Sequence, residues 1–310
     1  VALMILLAVF LAVQTALSFG GAVYLLDAAN HFRPWITFAL AIPILALALA
    51  TRRGWPYGLA SAALSLAILS APALLYATRG TGAGGPALTV VSFNILNTNP
   101  RAQALARWLD AVEPDVIAIQ EGAAAWRAWV ETSPLSDFHR VAGSSARQGV
   151  ELLAQMPLTD GRVLEAPQRR PVAMGVVDFG GPVCVVSIHP NTIRDASLWR
   201  ARNADLATAA HWIGSQCPPG AEKLVMGDWN TAPWSPHFSA FLRANGLRWG
   251  NAALLPAATR ELAAPFGWLG APIDQIAMTS GLRAQRCRRG PALGSDHRPI
   301  TCEIVRTRGG

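Results

Sequence analysis

Three apolar stretches, residues 1–26, 34–51 and 54–78, fill the start of the chain, and none of them contains a charged side chain. A bilayer-spanning helix needs about 20 consecutive apolar residues, so the pattern predicts about three transmembrane helices. The middle stretch is the shortest and contains Pro43, which a membrane helix tolerates where neighbours re-satisfy the freed backbone groups. For the first stretch the alternative is a cleavable signal peptide. It has no basic start, however, and exceeds the apolar core of a signal, about 7–15 residues. Residues 79–87 are rich in glycine and have no periodicity, the pattern of a flexible tether.

From residue 88 the pattern changes to short apolar runs alternating with helical periodicity. Strands are predicted at 88–94, 115–120, 150–154, 172–179, 183–189, 223–227, 273–279, 282–287 and 299–305. One helix carries Leu105, Trp108, Leu109 and Val112 on one face, and a second covers 196–214 behind the cap residue Asp195. A third covers 236–245, with Ser235 before it, Pro236 in its first turn and Gly246 at its stop. The mixture predicts an α/β fold of two packed sheets with helices outside. The expected organisation is a membrane domain (1–78), a linker (79–87) and a second domain (88–310).

Composition locates the apolar excess. The 310 residues are 52% hydrophobic and 15% charged, with a mean hydropathy of +0.29, too little charge for an ordinary soluble surface. Residues 1–80 hold four arginines and one aspartate, a net +3, and the remaining 22 basic and 18 acidic residues give +4. A basic domain suits an anionic substrate or a membrane surface. Arg52-Arg53, between the second and third stretches, predicts a cytoplasmic loop, which puts the second domain outside the cytoplasm; the single Arg33 and Arg79 pull the other way.

All four cysteines lie in the second domain. Their even number allows two disulfides, Cys287 with Cys302 and Cys184 with Cys217 being the favoured pairing of three. Four buried thiols is the alternative. No Cys-x-x-Cys metal spacing occurs.

Candidate chemistry sits where apolar runs stop. Asn94, Glu121, His189 and Asp228 each end such a run, and Asp296-His297 precede the last one. Polar groups gathered at one edge of a sheet are how a rigid scaffold builds a site. Ser-Phe-Asn (92–94), Pro-Asp-Val-Ile-Ala-Ile-Gln-Glu (114–121), Gly-Asp-Trp-Asn (227–230), Ile-Asp-Gln-Ile (273–276) and Gly-Ser-Asp-His-Arg-Pro-Ile (294–300) resemble, in order, the motifs of the endonuclease/exonuclease/phosphatase superfamily. The apolar leader resembles those of its membrane-attached bacterial members.

The resemblance implies a four-layered α/β sandwich and metal-assisted attack of water on a phosphoester. It implies Glu121, Asn94 and Asp296 as ligands of Mg2+, with Mn2+ as the alternative ion. Asp228 is the expected base or water orienter, and Asn230 a donor to the transition state. His297 is expected to contact the phosphate with Asp274 behind it, and His189 to protonate the leaving oxygen. The hard cation asks for such oxygen ligands. The expected substrate is a phospholipid headgroup or another small phosphate ester, with DNA or RNA as the alternative and a non-catalytic binding protein as a third reading. The lipid bilayer is the expected partner, and no protein partner is inferred. Trp126, Trp129, Trp199, Trp229, Trp234 and Trp268 are candidate walls of the site. His31, His139, His211 and His237 are given no role; the charges at 168–170 and 286–289 could touch a polyanion, with solvated loop charge the favoured reading of each.

Overall fold

The computed structural model describes residues 1–51, 54–78, 85–99, 102–122, 124–143, 149–262, 266 and 269–307. Arg52, Arg53, Arg79, Trp268 and most of the expected linker lie outside them. The first apolar stretch is not one helix. It forms α1 (Ala2–Leu17), turns through residues 18–23 and resumes as the short α2 (Tyr24–Asn30). Gly20 and Gly21 sit in that turn, each less favourable than alanine in a helix by about 1 kcal/mol. A Cβ at Gly20 would lie 2.8 Å from Asn30 Nδ2 and 3.0 Å from the Asp27 Cα, so the close return of α2 depends on glycine there.

The other two stretches form α3 (Arg33–Ala50) and α4 (Trp55–Tyr76), both long and apolar enough to cross a bilayer. The 16 residues of α1 reach about 24 Å, short of the roughly 30 Å hydrocarbon core. Of the three spanning helices expected, two are therefore long and apolar enough to cross a bilayer. A buried polar knot ties α3 to α1 and α2. Arg33 donates to the Gln14 side chain and carbonyl at 3.1 and 3.0 Å and to Asn30 Oδ1 at 3.2 Å.

Two six-stranded sheets follow. The first runs β13 (Leu282–Arg289), β14 (Ile300–Arg306), β1 (Leu88–Asn94), β2 (Val116–Gln120), β4 (Val150–Ala154), β3 (His139–Ala142). The second runs β5 (Thr159–Leu164), β6 (Val172–Asp178), β7 (Pro182–Ile188), β8 (Glu222–Asp228), β12 (Asp274–Met278), β9 (Arg248–Trp249). A two-stranded piece joins β10 (Arg260–Glu261) to β11 (Gly270–Ala271). Both large sheets are mixed: β1 pairs with β2, and β7 with β8, in parallel. Parallel neighbours need a long crossover, which α5 (Ala102–Val112) and α7 (Ala196–Gln216) supply.

The central strands are apolar on both faces because each sheet is covered twice. Val90, Val116, Ala118 and Leu152 meet Val185, Leu224, Met226 and Ile276 between the sheets. Phe93, Ile117 and Ile119 pack outward on Leu105 and Leu109 of α5 and on Trp126 of α6 (Ala124–Glu131). On the far side Val186 and Ile188 pack on Leu206 and Ile213 of α7 and on Phe238 and Phe241 of α8 (Pro236–Ala244). Each fully buried side chain of this kind contributes about 1.5–3 kcal/mol. The result is the four-layered α/β sandwich.

The α7 cap is as expected: Asp195 accepts from the amides of Ser197 and Leu198. Disulfides join Cys184 to Cys217, closing the β7–α7 segment, and Cys287 to Cys302, directly opposite each other on β13 and β14.

Candidate active site

The strand register gathers the polar strand ends at one edge. Asn94 lies opposite Gln120, the residue before Glu121, and Asp228 lies opposite Asp274. Ile188 lies opposite Gly227, which sets His189 beside Asp228. Gln120 Nε2 donates to Ser187 Oγ at 3.1 Å, pinning β2 of one sheet to β7 of the other beside the site. At Gly227, with φ +146°, a Cβ would stand 2.0 Å from the Ile188 carbonyl oxygen, so β7 and β8 close only around glycine.

The Asp228 Oδ2 is the centre of the arrangement. Asn94 Nδ2 donates to it at 3.1 Å, and His189 Nε2 and His297 Nε2 each stand 3.5 Å away. Asn230 Nδ2 is 3.4 Å from the same oxygen and donates to the Pro190 carbonyl at 3.1 Å, while the Asn230 amide donates to Asp228 Oδ1 at 2.9 Å. His297 Nδ1 sits 2.8 and 3.1 Å from the two Asp274 oxygens. Asn94 Nδ2 also donates to Glu121 Oε1 at 3.1 Å. Glu121 and Asn230 have φ values of +59° and +47°. Asparagine adopts that region readily. For glutamate it costs about 1–3 kcal/mol, a strain characteristic of functional positions.

Electrostatics separate the two histidines. Burial pushes His189 down to about 4 against the pull of Asp228, so its imidazole is neutral near pH 7. Burial also opposes the charge on His297, but Asp274, Asp228 and the Asp274 hydrogen bond together outweigh it and raise His297 to about 9. Burial lifts Asp228 above the usual carboxylate range, and the His297 charge counteracts part of that rise.

A cavity of roughly 250 Å³ opens on this group, lined by Glu121, His189, Asp228, Asn230, Asp296 and His297 together with Arg170, Arg194 and Arg260. All eight residues singled out from the sequence thus lie in or directly behind one site. Asp296 stands apart from the buried cluster, partly exposed and 3.3 Å from Arg260 Nε. The tightest acid and histidine grouping among the described residues is Asp228, Asp274 and His297, with ligand atoms within 4.8 Å of one another. Its members are engaged with each other; the Glu121 carboxylate, which accepts from Asn94 at one oxygen and from Asn97 at the other, lines the cavity with 20% of its side chain exposed. Glu121 and Asp296 line the cavity and are carboxylates of the kind a hard divalent cation takes, whereas Asn94 turns its Nδ2 toward Glu121 and its Oδ1 accepts from the Leu96 amide at 3.1 Å.

The arginines were not legible in the sequence. Arg170, read as a solvated loop charge, is half buried, and its Nε and Nη2 donate to Asn191 Oδ1 at 3.1 and 2.9 Å. Its Nη1 is buried without a hydrogen-bond partner among the described residues. No described tryptophan lines the cavity. Trp126 and Trp229 are core residues, and Trp234 Nε1 donates to the Ile68 carbonyl of α4. His31 is buried near Asp27 and Arg202, and desolvation lowers it to about 4.

The sequence profile of the Endonuclease/Exonuclease/phosphatase family matches residues 91–297. No match emerges among curated protein sequences. Among solved structures the chain is similar to D. rerio TDP2 complexed with single strand DNA product, at 16% identity and a TM-score of 0.59, over 71% of this chain and 99% of that one. It is also similar to a variant of the 3′ phosphatase NExo from Neisseria bound to product DNA hairpin, at 16% identity and a TM-score of 0.57, over 70% and 98%. An AP endonuclease from Archaeoglobus fulgidus matches at 18% identity and a TM-score of 0.54, over 69% and 98%.

Proposed function

The chain belongs to the endonuclease/exonuclease/phosphatase family and is a hydrolase of phosphoester bonds, and on that premise we propose that it is a membrane-tethered, Mg2+-dependent phosphoesterase acting outside the cytoplasm. The observation that carries this reading is the convergence of Glu121, Asn94, Asp228, Asn230 and two histidines, His189 and His297, at one cavity. Asp228 accepts the proton of the attacking water. Asn230 Nδ2 donates to a phosphate oxygen as negative charge grows there. The His297 imidazolium, oriented by Asp274, stabilises the transition state and supplies the proton that the leaving oxygen takes as the P–O bond breaks. That assignment moves the proton donor from His189, the sequence expectation, to His297, because burial keeps His189 neutral. His189 is left as a neutral hydrogen-bonding group. Glu121, Asn94 and Asp296 would hold the metal ion, whose charge offsets that of the phosphate oxygens.

Tethering is supported by α3 and α4 and by the apolar surface around them. Apart from Leu254, Leu255 and Phe266, every exposed large apolar side chain among the described residues lies between Val1 and Leu75, a patch that a soluble monomer rarely exposes. An α3–α4 hairpin returns the chain to the side it left, consistent with the packing of α2 against the sandwich. The two disulfides support an oxidising compartment, periplasmic or extracellular.

The substrate we favour is a phospholipid headgroup or another small phosphate ester at the bilayer surface, drawn in by Arg170, Arg194 and Arg260. The DNA held by two of the similar structures favours a tethered nuclease as the second reading. Mg2+-dependent release from a panel of phospholipids, inositol phosphates and single- and double-stranded nucleic acids decides between them. Preference for nucleic acid would overturn the first.

A further inference from the structure

Contacts from α2 reach two of the loops that carry the candidate active site, directly at one and through Arg202 at the other. Asp27, on α2, is wholly buried, and its Oδ2 accepts from Nη2 of Arg202, a wholly buried residue of α7 that is 175 positions away in sequence. Trp199 Nε1 donates to the same oxygen at 2.9 Å. The other end of the Arg202 fork is engaged with the site itself: Nη1 donates to the main-chain carbonyl of Asn230 at 2.9 Å. Its Nε donates to Asn203 Oδ1 at 2.7 Å. The Tyr24 hydroxyl, also on α2, donates to the Arg194 carbonyl at 2.8 Å, in the loop that follows His189. Asn230 and Arg194 both line the cavity.

The consequence follows from the cost of burying charge. A guanidinium removed from water keeps its place only with a counter-ion and filled hydrogen bonds, and here the counter-ion comes from outside the sandwich. Arg202 in turn fixes the carbonyl of a residue whose backbone is left-handed, φ +47°, and whose side-chain amide is aimed at Asp228 and Pro190. We propose that Asp27 is a positioning residue for Asn230, acting through Arg202, so that the N-terminal helices are a working part of the active site as well as its anchor. The proposal rests on the phosphoesterase reading above.

The test uses the full chain in detergent micelles with Mg2+ and bis(p-nitrophenyl) phosphate, and follows kcat, KM and Tm. Asp27→Asn keeps the shape and removes the charge. Displacing a transition-state contact by about 1 Å costs on the order of 100-fold, so kcat is expected to fall by about that factor. KM is expected to stay within about threefold, because the lost interaction belongs to the transition state. The double variant Asp27→Leu/Arg202→Met replaces the ion pair with apolar groups, which restores stability but removes the Arg202 donor from the Asn230 carbonyl. Its Tm is expected to recover while kcat stays low. Recovery of kcat together with Tm, or a wild-type kcat in Asp27→Asn, would overturn the positioning role alone. A wild type with no Mg2+-dependent hydrolysis would overturn the phosphoesterase reading, and this proposal with it. If Asp27→Asn fails to fold, the double variant decides.

Discussion

Asp274→Asn removes one charge from behind His297 while preserving the side-chain shape. Both residues are nearly inaccessible, and the Asp274 oxygens lie 2.8 and 3.1 Å from His297 Nδ1. The rise of His297 from 6.5 to about 9 corresponds to about 3 kcal/mol in favour of the imidazolium. Asp274 is the largest of the influences that produce the rise. Without it burial prevails, and His297 returns to its ordinary value or below. At pH 8 the charged fraction then drops from about nine tenths to about 3% or less, as a change from 9 to 6.5 requires. If the imidazolium is the working form, kcat/KM at pH 8 falls at least about 30-fold. The assay is the pH dependence of kcat/KM from pH 5 to 10 for both proteins. The wild type is expected to lose activity as pH rises through about 9, and the variant at least two pH units lower, by about 3 kcal/mol of lost preference. A basic limb that stays where it was would refute the reasoning. Stability follows the same sign. The His297 contribution is complete below its unfolded value of 6.5 and disappears as pH rises through about 9.

His31, held neutral by burial with a value near 4, has the opposite effect. Stability from this group is present above pH 6.5 and lost as pH falls towards 4, at up to about 1.4 kcal/mol per pH unit; a flatter Tm–pH curve in His31→Gln is the expected result. Gly227→Ala places a Cβ 2.0 Å from the Ile188 carbonyl oxygen and is expected to abolish soluble folded protein, read by circular dichroism. Reducing the Cys184–Cys217 bridge reopens a loop with a sequence separation of 33, and Cys184→Ser/Cys217→Ser is expected to lose about 3–4 kcal/mol in denaturant unfolding.

Site residues that end buried strands were legible because side chains, register and burial act on them together. Asn94, Glu121, His189 and Asp228 each stop an apolar run that must pair, and the pairing delivers them to one edge, whereas Asp274 was identified only through the family resemblance. The edge strands β3 and β5 were missed because exposed edges need no apolar run; β5 is largely exposed along its length. The break between α1 and α2 was hidden because an uncharged sequence looks alike in a helix and in a glycine turn. Arg170, Arg194 and Arg260 were unreadable because a loop arginine carries no local sign of whether it faces water or a cavity. The Asp27–Arg202 pair joins two elements that become neighbours only in the folded chain, so no spacing rule could have found it.

The most direct test of the account is the Mg2+ dependence of phosphodiester hydrolysis by the full chain and by Glu121→Gln, with metal binding measured in parallel by calorimetry. The account predicts hydrolysis by the wild type that EDTA abolishes and Mg2+ restores, with both rate and metal affinity collapsing in Glu121→Gln. Hydrolysis indifferent to EDTA, or wild-type affinity and rate in Glu121→Gln, would contradict it.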